Sequence, residues 1–155
     1  MSEEVLLTKE IKNMIGQQLG QTLVRQVQQD DIRKFIDATG DANPLWQDEK
    51  SAEKGPYGRI VAPPTFVFTF RPPGAQDAIN RIGEPHFKTG ILLGNSHEYI
   101  GPISPGDTIT AECRLADARE QETKRGKVLA LVNEKTYTNQ RGEVIARERT
   151  TVRRY

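Results

Sequence analysis

The chain has 155 residues, with 22 basic against 21 acidic side chains, 35% hydrophobic residues and a mean hydropathy of −0.63. This balance excludes a global basic field for nucleic acid, and no apolar run approaches the roughly 20 residues of a membrane span. One domain of this length buries a real core; the acidic start Met-Ser-Glu-Glu lacks the bases of a signal peptide and the single Cys113 suits a reducing compartment, so the expected location is cytoplasmic.

Thr8 opens a helical pattern, with Ile11, Met14 and Ile15 at i, i+3 and i+4. Gly16 and Gly20 bracket its end, and residues 23–28 read as a short strand. Asp30 and Asp31 begin a second helix with Ile32, Phe35 and Ile36 on one face, closed by Thr39 and Gly40. Then comes Gly-Asp-Ala-Asn-Pro-Leu-Trp, residues 40–46, where an acid, a carboxamide and an indole sit on a constrained turn. Pro44 pushes Asn43 out of the helical region, and Gly40 supplies a left-handed cap. A helix end followed by an Asx turn is the plain reading.

Residues 48–54 predict a helical turn and residues 55–58 a loop. Pro63 and Pro64 predict the entry to a helix, since proline is tolerated in a first turn. Phe66, Val67, Phe68 and Phe70 make that helix too apolar to be exposed, and residues 75–82 resume as helix. Strands are expected at 91–100, 108–115, 128–138 and 144–152. In the second of these Ile109, Ala111, Cys113 and Leu115 alternate with polar residues. Residues 124–127 and 139–142 are hairpin turns, the basic first one either solvated or a phosphate contact. The pattern predicts an α+β architecture, a curved antiparallel sheet wrapped on a buried central helix, as a single domain over residues 1–155.

The order of Gly-Asp-x-Asn-Pro-Leu, Tyr57-Gly58, Ala62-Pro63-Pro64-Thr65-Phe66, Gly94-Asn95, Glu98-Tyr99, Pro102 to Asp107 and Tyr137 to Gln140 resembles the MaoC-like hot-dog dehydratases, and within them the FAS1-like subgroup. The resemblance runs from about Thr8 to Arg153. It implies a hot-dog domain acting on an acyl-coenzyme A or acyl-carrier-protein thioester, as a hydro-lyase, with no cofactor, metal, nucleic acid or membrane. In that family the loop reads Asp-x-Asn-Pro-x-His, and Asp and His activate a water. A His-Gly pair at the helix entry gives the N–H that receives the thioester oxygen.

Here Asp41, Asn43 and Pro44 match, but Trp46 stands in place of the His and Ala62-Pro63 in place of His-Gly. Indole cannot shuttle a proton near neutral pH, and Pro63 has no N–H. Asp41 is the candidate catalytic residue; Asn43, Trp46, Thr65, Phe66, Asn95 and His97 are the candidate substrate-binding residues. His86 is expected at the surface. Arg59, Arg71 and Lys88 are either scattered surface bases or contacts for carrier phosphates. The leading expectation is a subunit that shapes the acyl tunnel of an (R)-specific enoyl-thioester hydratase or 3-hydroxyacyl-thioester dehydratase. A MaoC-like partner, joined sheet edge to sheet edge, then carries the chemistry. The alternatives are a self-sufficient homodimer using Asp41, with the Thr65 N–H as donor, and a hot-dog protein that binds acyl thioesters without reaction. Thioesterase chemistry needs a carboxylate on the buried helix, and residues 66–70 offer none.

Overall fold

The structure is a computed structural model that describes residues 5–155. Residues 1–4, read above against a signal peptide, lie outside the described residues. Helix α1 spans Lys9–Met14, capped by the Thr8 side chain, and strand β1 spans Leu23–Gln26. Helix α2, Gln29–Thr39, buries Ile32 and Ile36 and ends at Gly40, whose φ of 69° is the left-handed conformation glycine adopts without strain. Two short helices follow, α3 at Pro44–Gln47 and α4 at Glu49–Glu53.

The apolar segment after Pro63 forms a 3₁₀ helix, Pro64–Thr69. Three-residue turns stack Phe66 over Thr69 and Val67 over Phe70, and side chains so eclipsed do not sustain a long helix. Pro72 then forces Arg71 out of helical geometry. Helix α5, Ala75–Arg81, begins after Gly74 and buries Ala75 and Ile79. The central helix is thus two pieces joined by a proline break.

Strands β2 (Gly90–Tyr99), β3 (Thr108–Thr123), β4 (Gly126–Thr138) and β5 (Val144–Arg154) complete one antiparallel sheet in the order β1-β3-β4-β5-β2. The last three strands form a meander, while β2 crosses over to pair with β5 and ends as an edge. Register shifts at Leu92/Gly94, Leu115/Asp117 and Tyr137/Thr138 are bulges, the irregularities that bend a sheet.

Residues paired across strands share a face. On the helix side the rows therefore run Ala111–Tyr137–Ala146–Tyr99, then Cys113–Lys135–Glu148–His97, then Leu115–Asn133–Thr150–Asn95. The first and last rows lie against different halves of the core. One half gathers Ile32, Ile36, Phe66, Phe70, Ile109 and Tyr137; the other gathers Ile11, Leu19, Ile79, Leu115, Leu129 and Leu131. Each fully buried Leu, Ile or Phe among them contributes roughly 1.5–3 kcal/mol. The charged row between them is polar on the side that ordinarily carries only hydrophobic residues. Strand β2 is exposed at all ten positions. Among the described residues no helix is long and apolar enough to cross a membrane.

Candidate functional site

The loop after α2 is built by its own polar side chains. Asn43 caps α3 by accepting from the Leu45 N–H at 3.0 Å, and its carbonyl accepts from the Trp46 N–H at 3.2 Å. Asp41 Oδ1 accepts from the Asn43 N–H at 3.2 Å, and Gln47 Nε2 donates to the Asp41 carbonyl at 3.2 Å. The indole Nε1 of Trp46 donates to Asp41 Oδ2 at 2.9 Å. Both carboxylate oxygens therefore receive donors from within the loop. Asp48 caps α4 in the same fashion, and the hydrogen bond from the Ser51 hydroxyl holds its carboxyl below the usual range.

Trp46 forms one wall of a partly open cleft together with Tyr57, Pro63, Pro64, Tyr99 and Ile100. Its floor is Val67, Ile103, Ile145 and Ala146, so the lining side chains are apolar apart from the two tyrosine hydroxyls and the indole N–H. Burial raises the Tyr99 hydroxyl above its ordinary pKa, with the Glu148 charge adding to the effect. Both causes keep it a neutral hydroxyl.

The other candidate residues separate. Phe66 is 1% exposed and sits in the core, edge-on to Phe35 at 5.6 Å and to Phe70 at 5.7 Å. It packs behind the cleft rather than facing it. Thr65 is exposed and carries the first amide N–H of the 3₁₀ helix. Asn95 and His97 lie on β2, beside a second, polar groove that also takes in Phe68, Lys135, Glu148 and Thr150. The Phe68 ring marks the boundary between the two spaces, 4.5 Å from the His97 ring and 6.4 Å from that of Tyr99. His97 therefore borders the groove and Trp46 the cleft, with Asp41 held on the Trp46 side.

Sequence reasoning missed the middle charged row. Glu148 accepts from Lys135 Nζ at 3.2 Å on both oxygens, from the Tyr137 hydroxyl at 3.0 Å and from the Thr150 hydroxyl at 3.3 Å. Burial, then the Glu148 charge, pushes the Tyr137 hydroxyl strongly upward. Burial likewise raises the Cys113 thiol to about 11, so this thiol is inert rather than nucleophilic. The signal was available: Asn133-Glu134-Lys135 and Glu148-Arg149-Thr150 are polar runs at mid-strand, so both sheet faces had to be polar there.

A curved antiparallel sheet with the helices on one face and a polar loop at the end of α2 defines the class: an α+β hot-dog domain, the fold shared by solved MaoC-like dehydratases. More particularly, the chain belongs to the family described as the FAS1-like dehydratase domain region, which matches residues 13–148. A UPF0336 protein of Streptomyces coelicolor is 30% identical over 102 residues, 64% of this chain and 67% of that protein. A probable enoyl-CoA hydratase alpha subunit of Thermomonospora curvata is 25% identical over 95% of this chain, which spans about half, 51%, of that relative's length. Among solved structures, the ChsH1-ChsH2 complex of Mycobacterium tuberculosis matches with a TM-score of 0.76 and 18% identity, covering 87% of this chain and 83% of that one. The MaoC-like dehydratase of Rhodospirillum rubrum matches at 0.65 and 21%, covering 88% and 92%.

Proposed function

We propose that this chain is the substrate-shaping subunit of an (R)-specific enoyl-thioester hydratase or 3-hydroxyacyl-thioester dehydratase, and that a MaoC-like partner carries the Asp/His chemistry. The observation that carries this reading is the 2.9 Å hydrogen bond from Trp46 Nε1 to Asp41 Oδ2. Hydration needs one group to take a proton from water and another to return one at the α-carbon. Trp46 is a donor only, so the Asp41–Trp46 pair can hold a shape but cannot relay a proton. Pro63, at the entry to the 3₁₀ helix, has no N–H for the thioester oxygen. On this reading the proton relay is left to another chain, while the exposed Thr65 N–H is a donor that the helix entry still offers.

What remains suits a binding wall. Trp46, Tyr57, Tyr99 and Ile100 give the cleft broad apolar walls, and the edge β2 offers a full strand for a second sheet. The relative from Thermomonospora is named as an alpha subunit and the mycobacterial neighbour as a two-component complex, which supports a partner of the same fold. On this reading residues 1–155 act as one hot-dog unit in the cytoplasm, on an acyl thioester of coenzyme A or a carrier protein.

The test is hydration of crotonyl thioester by this chain alone, by a MaoC-like chain bearing Asp-x-Asn-Pro-x-His, and by the two together. Turnover that is high only in the mixture, and indifferent to Asp41→Asn, is the expected result. Full activity of this chain alone, abolished by Asp41→Asn, would overturn it in favour of the homodimer. Thioester binding with no turnover in any sample would make this a binding protein.

A further inference from the structure

The cleft and the groove are successive lengths of one trough. Tyr99 and Ala146, paired across β2 and β5, line the cleft. The next two pairs on the helix-facing side, His97–Glu148 and Asn95–Thr150, line the groove. Two residues of strand, roughly 7 Å, therefore separate the end of one space from the start of the other. The 3₁₀ helix repeats the division from above: Val67 lines the cleft and the next residue, Phe68, lines the groove. Phe68 stands over the junction, its ring centroid 4.5 Å from that of His97 and 6.4 Å from that of Tyr99. Tyr99 and His97 come from an edge strand exposed along its whole length, whereas Phe68 is half-buried and packs on the core half that holds Phe66 and Tyr137. Its helix is pinned by Arg25 of β1, which donates to the Thr69 hydroxyl at 3.0 Å and lies over the Phe70 ring at 4.1 Å. The partition between cleft and groove is thus three rings, of which the middle one is fixed to the core. The charges beyond it do not make the barrier. Glu148 is 7% exposed and accepts from Lys135, Tyr137 and Thr150, so it has little hydration to lose to a passing alkyl chain. Past it, Val152, Ala75 and Ile79 offer apolar surface again.

We propose that Phe68 is the specificity-determining residue of the acyl site: its ring closes the cleft against the groove, so that this chain takes acyl tails that end within the cleft and gives no purchase to the added length of longer ones. The proposal rests on the hydratase-subunit reading and names the substrate class for it, short-tailed acyl thioesters. A thioester oxygen at the Thr65 N–H is one 3₁₀ turn, about 6 Å along the axis, before Phe68. A tail laid from there along the trough reaches the ring after a few methylenes. Each methylene buried before the ring adds about fourfold in affinity, and those beyond it add nothing. Removing the ring joins the two spaces and lets the tail continue over the groove.

The experiment measures equilibrium binding of straight-chain saturated acyl-coenzyme A esters, from acetyl to palmitoyl, to the purified chain. Saturated esters cannot be hydrated, so binding is read alone. In the parent chain the affinity is expected to climb by about fourfold per methylene and then to stop climbing at a short tail length. In Phe68→Ala that break moves to tails several methylenes longer. Phe68→Leu keeps an apolar side chain on the core, folds where the alanine variant does not, and moves the break in the same direction by less. A break at the parent's length in both variants overturns the gate and assigns the stop to the charged row beyond it. An affinity that climbs through the longest ester in the parent chain also overturns it. Either result leaves the hydratase-subunit reading standing, since that reading is judged by turnover in the mixture. Binding of no ester at any length overturns both the gate and the reading beneath it.

Discussion

Asp41 and Trp46 are five residues apart, and the sequence presents them as a retained acid and a lost base. The structure joins them in a single contact: the indole Nε1 donates to Asp41 Oδ2, so that oxygen is held by a donor that cannot relay a proton. That contact is a structural hydrogen bond in a half-buried loop, worth about 1 kcal/mol net. Trp46→Phe is therefore expected to lower stability by about 0.5–1.5 kcal/mol in denaturant titration. A double-mutant cycle with Asp41→Ala is expected to return a coupling on the order of 1 kcal/mol, and additive losses would show that the two side chains act independently. The loop itself was legible because proline, glycine and Asx chemistry are local. The groove residues were not, because Asn133, Lys135, Glu148 and Thr150 become neighbours only through strand register.

At the scale of elements, β2 is the part that departs most from a self-contained domain. Ile91, Leu92, Leu93, Tyr99 and Ile100 are each 45–57% exposed. An edge strand with an uncovered backbone edge and exposed apolar side chains is a template for another strand. Glutamates at Ile91 and Leu93 together are expected to abolish association in size-exclusion chromatography. They are expected to lower the chain's own melting temperature only slightly, because both side chains are about half exposed. Retained association would place the contact elsewhere. The strands were legible from alternation and hairpin glycines, and four of the strand positions fall within a few residues of expectation. The crossover that takes β2 to β5 was not, because sequence order does not encode which edge a strand reaches. The break before α5 was legible, because Pro72 and Gly74 interrupt the apolar segment; that the first piece is a 3₁₀ helix was not.

Over the whole molecule, the two core halves are tied by charged rows on both faces of the sheet. On the face away from the helices, Glu134 is held by Arg114 at 2.6 Å and by Arg149 at 2.7 Å. Burial alone would raise its pKa, but the hydrogen bonds from Arg149 and Arg114 outweigh this and hold it below its ordinary 4.5. A depressed carboxylate contributes stability that is fully present above the unfolded-state value and fades as pH falls through the folded one. Glu134→Gln is therefore expected to be less stable than the parent at pH 7, with the gap closing progressively below pH 4.5, as read by denaturation at a series of pH values. A gap constant with pH would mean that the charge is irrelevant. The exposed β2 edge has one more consequence, for the cell rather than for the fold. On the proposed subunit reading, a chain with ten uncovered strand residues meets the quality-control machinery without its partner. Its abundance should then be set by the supply of whatever covers that edge, so that cells making this chain in excess degrade the surplus while cells making it in step with its companion keep it.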